Sequence, residues 1–421
     1  MSDENCTKDG MTIGYRDVFR QKEYMKLIFS NVINRFGDSI DYVAFTWLVY
    51  SLTGSAAWSA IIFGINRVPT IFLQPFAGAM VENWNKKTVM VLTDIIRGVS
   101  VSLVAVLFLL QLLNPWILLA FTLVISSAEA FRGPAGTAVL PKILEKECYD
   151  FGLSLNSTLT NAIELAGLAL AGGIIALFGI HTAILIDAFT FWGSALIILF
   201  INTGEDKNTK QKINFKEYLD TLKGGIIYLK RKSVIFNFVL LAMVANAILV
   251  PLNSLQAPLI KDILMQGELM LSVLSFCLTA GLGIGSALYP YAAKKLNTRT
   301  IIFVGGILLS LYYIILVLCG YLSSYRLIVY GLCGTTSLIT GCALSLLISA
   351  LNVQFMKQVD TEYLARVGAI MSSGCVGAIP IVSFLISILT KIITLSVIFY
   401  AIGGLGMVFF IFLYLKKVRF E

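Results

Sequence analysis

Charge is what this sequence has least of. Asp, Glu, Lys and Arg together make up 13% of the 421 residues, against about a quarter in a soluble domain. Apolar residues reach 57% and the mean hydropathy is +0.84, so most of the chain must face lipid or other apolar segments. Histidine occurs once, at His181. The seven cysteines form no CxxC pair and no alternating Cys/His cluster, and most lie in apolar runs, where a thiol behaves as a small hydrophobe. A disulfide framework and a metal site are therefore not expected. There is no GxxxxGK[ST] loop, so the chain is not expected to use ATP directly. Gly281, Gly283 and Gly285 spell GxGxG, but inside an apolar run, where close helix packing accounts for them better than a dinucleotide loop. No hydrolytic triad can be assembled, so an enzyme is not expected, and no cofactor is implied.

What the sequence has is long apolar runs. They fall at about 26–50, 56–81, 88–112, 115–133, 153–178, 182–202, 233–260, 268–293, 301–322, 326–350, 365–390 and 393–415. Each approaches or exceeds the roughly 20 residues that a membrane-crossing helix needs, and only helices satisfy their backbone one segment at a time in lipid. Residues 1–23 are polar and mixed in charge, without the apolar core of a secretory leader, so the N-terminus is expected in the cytoplasm. Threading the runs alternately from there places 25 of the 32 Lys and Arg residues inside and three (Lys261, Arg326, Lys391) outside, with Arg35, Arg67, Arg97 and Arg132 within or at the ends of runs. That asymmetry obeys the positive-inside rule. It accounts for the net charge of +8 as an orientation device, not a nucleic-acid surface, and it predicts a multi-pass protein of the bacterial plasma membrane with both termini inside. The outside loops are short, which leaves little to bind a ligand there and argues against a receptor. The longest hydrophilic stretch lies at mid-chain and carries Phe215, Leu219, Leu222, Ile226 and Leu229 at helical spacing, the pattern of a basic helix lying on the inner membrane surface. The predicted organisation is a cytoplasmic segment (1–23), a six-helix bundle (24–203), a linker with an amphipathic helix (204–232) and a second six-helix bundle (233–421).

Between the second and third runs stands Gly78-Ala79-Met80-Val81-Glu82-Asn83-Trp84-Asn85-Lys86-Lys87: a Gly, an acid four residues later, then a basic pair. This resembles the loop motif of the major facilitator superfamily, with Glu82 in the usual Asp place and Asn85 in that of the second Gly. In physical terms the Gly would permit close helix approach, and the acid would sit near a helix start, where negative charge is favoured. The stretches Leu48-Val49-Tyr50, Leu52-Thr53-Gly54-Ser55, Asp94-Ile95-Ile96-Arg97, Gly133-Pro134-Ala135, Val139-Leu140-Pro141, Gly172-Gly173 and Leu185-Ile186-Asp187-Ala188-Phe189 are similar to the macrolide-efflux branch of its drug:proton antiporters, which also resembles siderophore exporters. The resemblance extends over nearly the full length of the chain. The resemblance implies an all-α fold of two pseudo-symmetric six-helix bundles and a proton-coupled exporter working by alternating access. The second half lacks the loop acid, having Tyr289 where it would stand.

Buried charge is concentrated in the first six runs. They hold Arg35, Asp38, Asp41, Arg67, Asp94, Arg97, Glu129, Arg132, Glu164 and Asp187, whereas the later six have no acid or base in their middles. A charge in hydrocarbon costs about 3 kcal/mol on insertion scales, so these ten must be paired, wetted or functional. At roughly 100° per residue, Arg35, Asp38 and Asp41 share a face, and Arg35 and Asp38 are within pairing reach. Asp41, deeper and without an adjacent base, is a candidate proton carrier, and Glu164 is a second candidate for a proton or cation. Arg67 is placed to balance an acid of the first run or to attract an anionic group. By resemblance, Asp94 and Arg97 join Gly78, Glu82, Lys86 and Lys87 in a charge network that changes with conformation. Glu129 and Arg132 share a face at the end of the fourth run, and Asp187 is expected to be structural. Asn246, Asn253, Gln256, Tyr289, Asn352 and Gln354 would suit an amphiphilic solute, or act singly in helix packing. The expected partners are a small, lipophilic, drug-like substrate, protons and membrane lipids, for a monomer. A metabolite, siderophore or lipid carrier is the alternative.

Overall fold

A computed structural model describes residues 7–8, 11–12, 14–204 and 233–416. The expected amphipathic linker helix and the last basic residues, Lys417 and Arg419, lie outside these. Apart from a two-residue antiparallel ladder between Thr7–Lys8 and Met11–Thr12, the described chain is helical. Eleven of its helices are long and apolar enough to cross a membrane. A twelfth, α2 (Lys22–Thr53), has the length but carries Arg35, Asp38 and Asp41 in its middle.

Two compact units make up the chain. The first comprises Met1–Phe45 and Pro69–Ile213. It opens with a short helix that the sequence reading did not anticipate, α1 (Tyr15–Arg20), followed by α2. The end of α3 (Ala56–Asn83), α4 (Lys86–Leu109), α5 (Pro115–Ile143), α6 (Tyr149–Phe178) and α7 (Ile180–Leu199) complete it. The helix starts have local causes. Asn85 caps α4, its Oδ1 accepting from the Thr88 amide at 2.9 Å. Asn114 caps α5 by accepting from Trp116 and Ile117, with Pro115 pre-set at the first helical position. Between α6 and α7 the chain turns at Gly179, whose φ of 84° lies in the left-handed region that glycine tolerates. His181 is the second residue of α7. Within this unit α4 packs on both α5 and α7, around a core that includes Tyr24, Ile28, Met90, Val139 and Ile198.

The second unit comprises Thr46–Val68 and Asn214–Glu421. It contains α8 (Ser233–Ser254), α9 (Glu268–Lys295), α10 (Thr298–Gly320), α11 (Arg326–Gln358), α12 (Thr361–Leu389) and α13 (Leu395–Leu415). A single π-helical turn, Leu259–Ile263, links α8 to α9. α9 packs along α11, α10 against α11 and α13, and α8 against α12. The GxGxG run is a packing device, as expected. A Cβ on Gly281 would meet the Leu338 carbonyl oxygen, and one on Gly285 the Cys342 carbonyl oxygen; across the same seam, a Cβ on Gly341 would meet the Leu278 carbonyl oxygen. Only glycine lets α9 and α11 approach backbone to backbone, the usual way helices gain contact where lipid is as apolar as leucine. Around both units, large apolar side chains such as Leu177, Leu327 and Leu405 stand 70–90% exposed, a lipid-facing surface that water would not tolerate. Trp116, Tyr321 and Tyr325, exposed at helix ends, fit the interfacial aromatic belt.

Replacing Gly281 by Val should cost roughly 1–3 kcal/mol or more through overpacking, read as a lower unfolding temperature of the detergent-solubilised protein. Gly283→Ala, where a Cβ meets nothing within 4 Å, should leave that temperature within error.

Candidate functional site

The ionisable residues of the first unit are gathered between α2, α4, α5, α6 and α7. α4 supplies two groups that point to different neighbours. Asp94, fully buried, accepts from the Nε of Arg132 on α5 at 3.0 Å. Its second oxygen accepts from the Ser194 hydroxyl of α7 at 2.6 Å and from the Asn34 amide of α2 at 3.4 Å. One turn on, Arg97 donates to Asp38 of α2 at 2.8 Å and lies 4.1 Å over the Phe191 ring of α7. Its Nε, also buried, has no hydrogen-bond partner among the described residues. The α4 pair thus fastens α2, α5 and α7 to one another through charge.

A polar ladder runs between α2 and α6. Asn31 donates to Asn156 at 3.1 Å. A turn further along α2, Arg35 donates through Nε (3.0 Å) and a terminal NH2 (2.7 Å) to one oxygen of Glu164. The expected Arg35–Asp38 pair is therefore not formed. Each residue has an interhelical partner instead, because interhelical partners can meet Arg35 and Asp38 head-on whereas neighbours on one helix meet only obliquely. Glu164, the second candidate for a proton or cation, is ion-paired with Arg35. Gly167 sets this approach: a Cβ there would lie 2.7 Å from that of Ser39.

Asp187, expected to be structural, lies at the edge of this cluster. It is 1% exposed and among the described residues has only the Thr190 hydroxyl at 3.5 Å as a side-chain hydrogen-bond partner. A Cβ on Gly37 would lie 2.6 Å from the Asp187 Oδ1, so this glycine is what admits Asp187 to the flank of α2. There it feels the charges of Asp41, Asp38 and Arg97. Asp41 has no hydrogen-bond partner among the described residues. The ledger of charge is uneven. Arg35, Arg97 and Arg132 are matched by Glu164, Asp38 and Asp94, and Asp41 and Asp187 remain without an ion pair, both sharing the field of Arg97 with Asp38. The signal was in the sequence, an aspartate in the middle of an apolar run, but its neighbours were not.

Other expectations are corrected. Glu129 is exposed and does not pair with Arg132, whose partner is Asp94; the charge of Glu129 acts on Arg97. Arg67 is exposed and forms no ion pair with a described residue. Glu82 lies in the last turn of α3, not at a helix start; nothing is described of its side chain. A Cβ on Gly78 would meet nothing within 4 Å, so Gly78 serves no close helix approach. Lys86 and Lys87 open α4, and Trp84 of the same motif stacks on Phe131 of α5 with centroids 6.1 Å apart. In the second unit, Gln354 caps inwards on Thr298 at 2.8 Å and Asn246 bonds the Ala242 carbonyl oxygen, both packing roles. Among the described residues no group of His, Cys, Asp and Glu could hold a metal ion.

Membrane-crossing helices with charged groups buried between them make this a polytopic helical membrane protein. The profile of the Major Facilitator Superfamily matches residues 27–383, and the chain belongs to that family. Its relatives in Bacillus subtilis (strain 168) include the MFS-type transporter YfiS, 28% identical over 239 residues that cover 56% of each chain. Another is the protein named "Putative bacilysin exporter BacE", 29% identical over 53% of this chain and 55% of its own. The multidrug efflux pump Tap of Mycobacterium bovis is 28% identical over 41% of this chain and 42% of its own. The aligned stretch thus spans about half the length of these relatives. Among solved structures, the nucleoside transporter NupG matches with a TM-score of 0.74 at 11% identity, covering 95% of this chain and all of its own.

Truncating Asp94 to Ala would strand a buried guanidinium, a loss of about 3–5 kcal/mol that thermal unfolding in detergent will register. Arg35→Gln removes a pair whose Arg side chain is 45% exposed and should cost under about 1 kcal/mol in the same assay.

Proposed function

We propose that the protein is a proton-coupled exporter of small molecules, with Asp38, Asp41 and Asp187 around Arg97 as the coupling site. The observation that carries this reading is the surplus of acid: one guanidinium faces three carboxylates. Holding two uncompensated anions away from water is costly, so the surplus acids must take up a proton or a cation, or lose that charge to a cationic substrate. A site that binds one or the other, but not both, couples their movements. Protonation on the side of high proton concentration releases cargo there, and deprotonation on the other side prepares the site to load it again. Alternating access supplies the exchange between sides, and the helix that carries Asp38 and Asp41 also carries Arg35 of the polar ladder, so proton and cargo contacts lie on one element. The relatives named as exporters support outward transport. The orientation with termini and basic loops in the cytoplasm rests on the positive-inside distribution.

Lipophilic, drug-like compounds, cationic ones first, are the substrate class that the acid surplus favours. A second reading, a metabolite or siderophore carrier, is favoured by Arg35 and Glu164, which are partly exposed and use only one carboxylate oxygen, leaving donors and an acceptor for a polar solute.

The test is efflux from proteoliposomes or uptake into inverted vesicles of a fluorescent lipophilic cation under an imposed pH gradient. Wild-type flux should follow the gradient. Asp41→Asn and Asp187→Asn should each lose gradient-driven flux at least tenfold, in the range expected for a positioned proton-transfer group, while remaining folded. Gradient-driven flux retained in both amides would defeat the coupling assignment.

A further inference from the structure

Where the start of α2 meets the connection between α5 and α6, the first unit has a cavity of about 520 Å³, lined by Arg20, Lys22, Glu23, Lys142, Glu145 and Lys146 among others. Four cations face two acids. Glu23 is not available to balance them. Burial pushes its carboxyl up, but the hydrogen bonds from Lys26 (2.8 Å) and the Asn202 amide (2.6 Å), with the charges of Lys26 and Lys87, outweigh burial and hold it below the usual carboxylate range. Its charge is thus spent on groups outside the cavity. Lys22 and Lys146 have no ion-pair partner among the described residues. Arg20 has only a 3.7 Å contact with Asp17, on a side chain 75% exposed.

An apolar rim adjoins this cationic mouth. The short helix α1 buries Val18 completely, while Tyr15 and Phe19 stand about half exposed; Tyr15 meets Phe151 of α6 edge-on at 5.1 Å. An amphipathic turn with aromatics on one side and Arg20 at its end, leading directly into a membrane-crossing helix, is built to lie at the level of lipid headgroups. Neither the transport site nor the ladder uses any of these residues.

We propose that this cavity binds a phosphate group, and that the group is the headgroup phosphate of an anionic lipid whose acyl chains lie along Tyr15 and Phe19. The volume admits a phosphodiester with part of its headgroup, Lys22 and Lys146 supply the unspent charge, and the rim supplies a surface that a free phosphate would not use. An occupant here would hold the start of α2 against the α5–α6 connection, and α2 carries Asp38 and Asp41.

The probe is native mass spectrometry of the purified full chain titrated with phosphatidylglycerol, with phosphatidylcholine and with inorganic phosphate. Phosphatidylglycerol should be retained and the other two should not. The double variant Lys22→Gln/Lys146→Gln should bind it about thirtyfold more weakly, as two lysines near an anionic surface imply. Lys294→Gln/Lys295→Gln, which removes the same charge from the exposed end of α9, should leave binding unchanged. Because these variants are exposed, their unfolding temperatures should match wild type, and a variant that fails this check is replaced by Lys146→Gln alone. Equal retention of both lipids, equal loss in the two double variants, or a site saturated by inorganic phosphate without lipid would overturn the proposal.

Discussion

The first unit is organised by the rule that a charge removed from water must find a counter-charge. α4 shows how far the rule reaches. Asp94 and Arg97 are three residues apart and would be near enough to pair, yet each is taken by another helix: Asp94 by Arg132 of α5 and Ser194 of α7, Arg97 by Asp38 of α2. A pair within one helix would have satisfied the charges and fastened nothing. Distributed in this way, the same charges fix where α2, α5 and α7 lie, and the residual imbalance collects at one place, beside Arg97.

The second unit solves the same problem of cohesion without charge. Its helices meet through small residues, with Gly281, Gly285 and Gly341 admitting the backbone of α9 to that of α11, and Gly306 of α10 giving room to the Phe410 ring of α13. Polar groups there bond across helices without charge, as with the hydroxyls of Tyr312 on α10 and Ser337 on α11, 2.7 Å apart. Close van der Waals packing of this kind holds one arrangement and carries no titratable switch. The unit with paired charges has groups that a proton or a charged solute can compete for; α8 to α13 of the unit with glycine seams have none in their described helix centres.

The polar ladder between α2 and α6 ties the two questions of energy and cargo together. Arg35 and Glu164 are more exposed than Asp94 and Arg132, and an exposed pair contributes little to stability. A partly exposed ion pair in an otherwise apolar setting is therefore better suited to exchange partners with a solute than to hold helices together. The buried pairs, by contrast, cannot be opened without stranding a charge.

The sequence by itself determined the class of the protein. Scarce charge, long apolar runs and the one-sided distribution of lysine and arginine required a multi-pass helical protein, because the cost of charge and of unpaired backbone in lipid leaves no other solution. The loop around Glu82 pointed to the family, and the concentration of acids in the first six runs marked the half in which the proposed coupling site lies. Partners were another matter. Arg35, Asp38 and Asp41 share a helical face, and periodicity alone joins Arg35 to Asp38; which carboxylate a guanidinium meets depends on which helix lies across from it, and that depends on Gly37 and Gly167, positions whose meaning appears only when a second helix is in contact with them. Asp187 was legible as a costly residue but not as a neighbour of Asp41, since 146 positions of chain separate them and no local pattern spans that distance. Tertiary structure decided the pairing, because pairing is a property of adjacent helices, and with it decided which acids were left over.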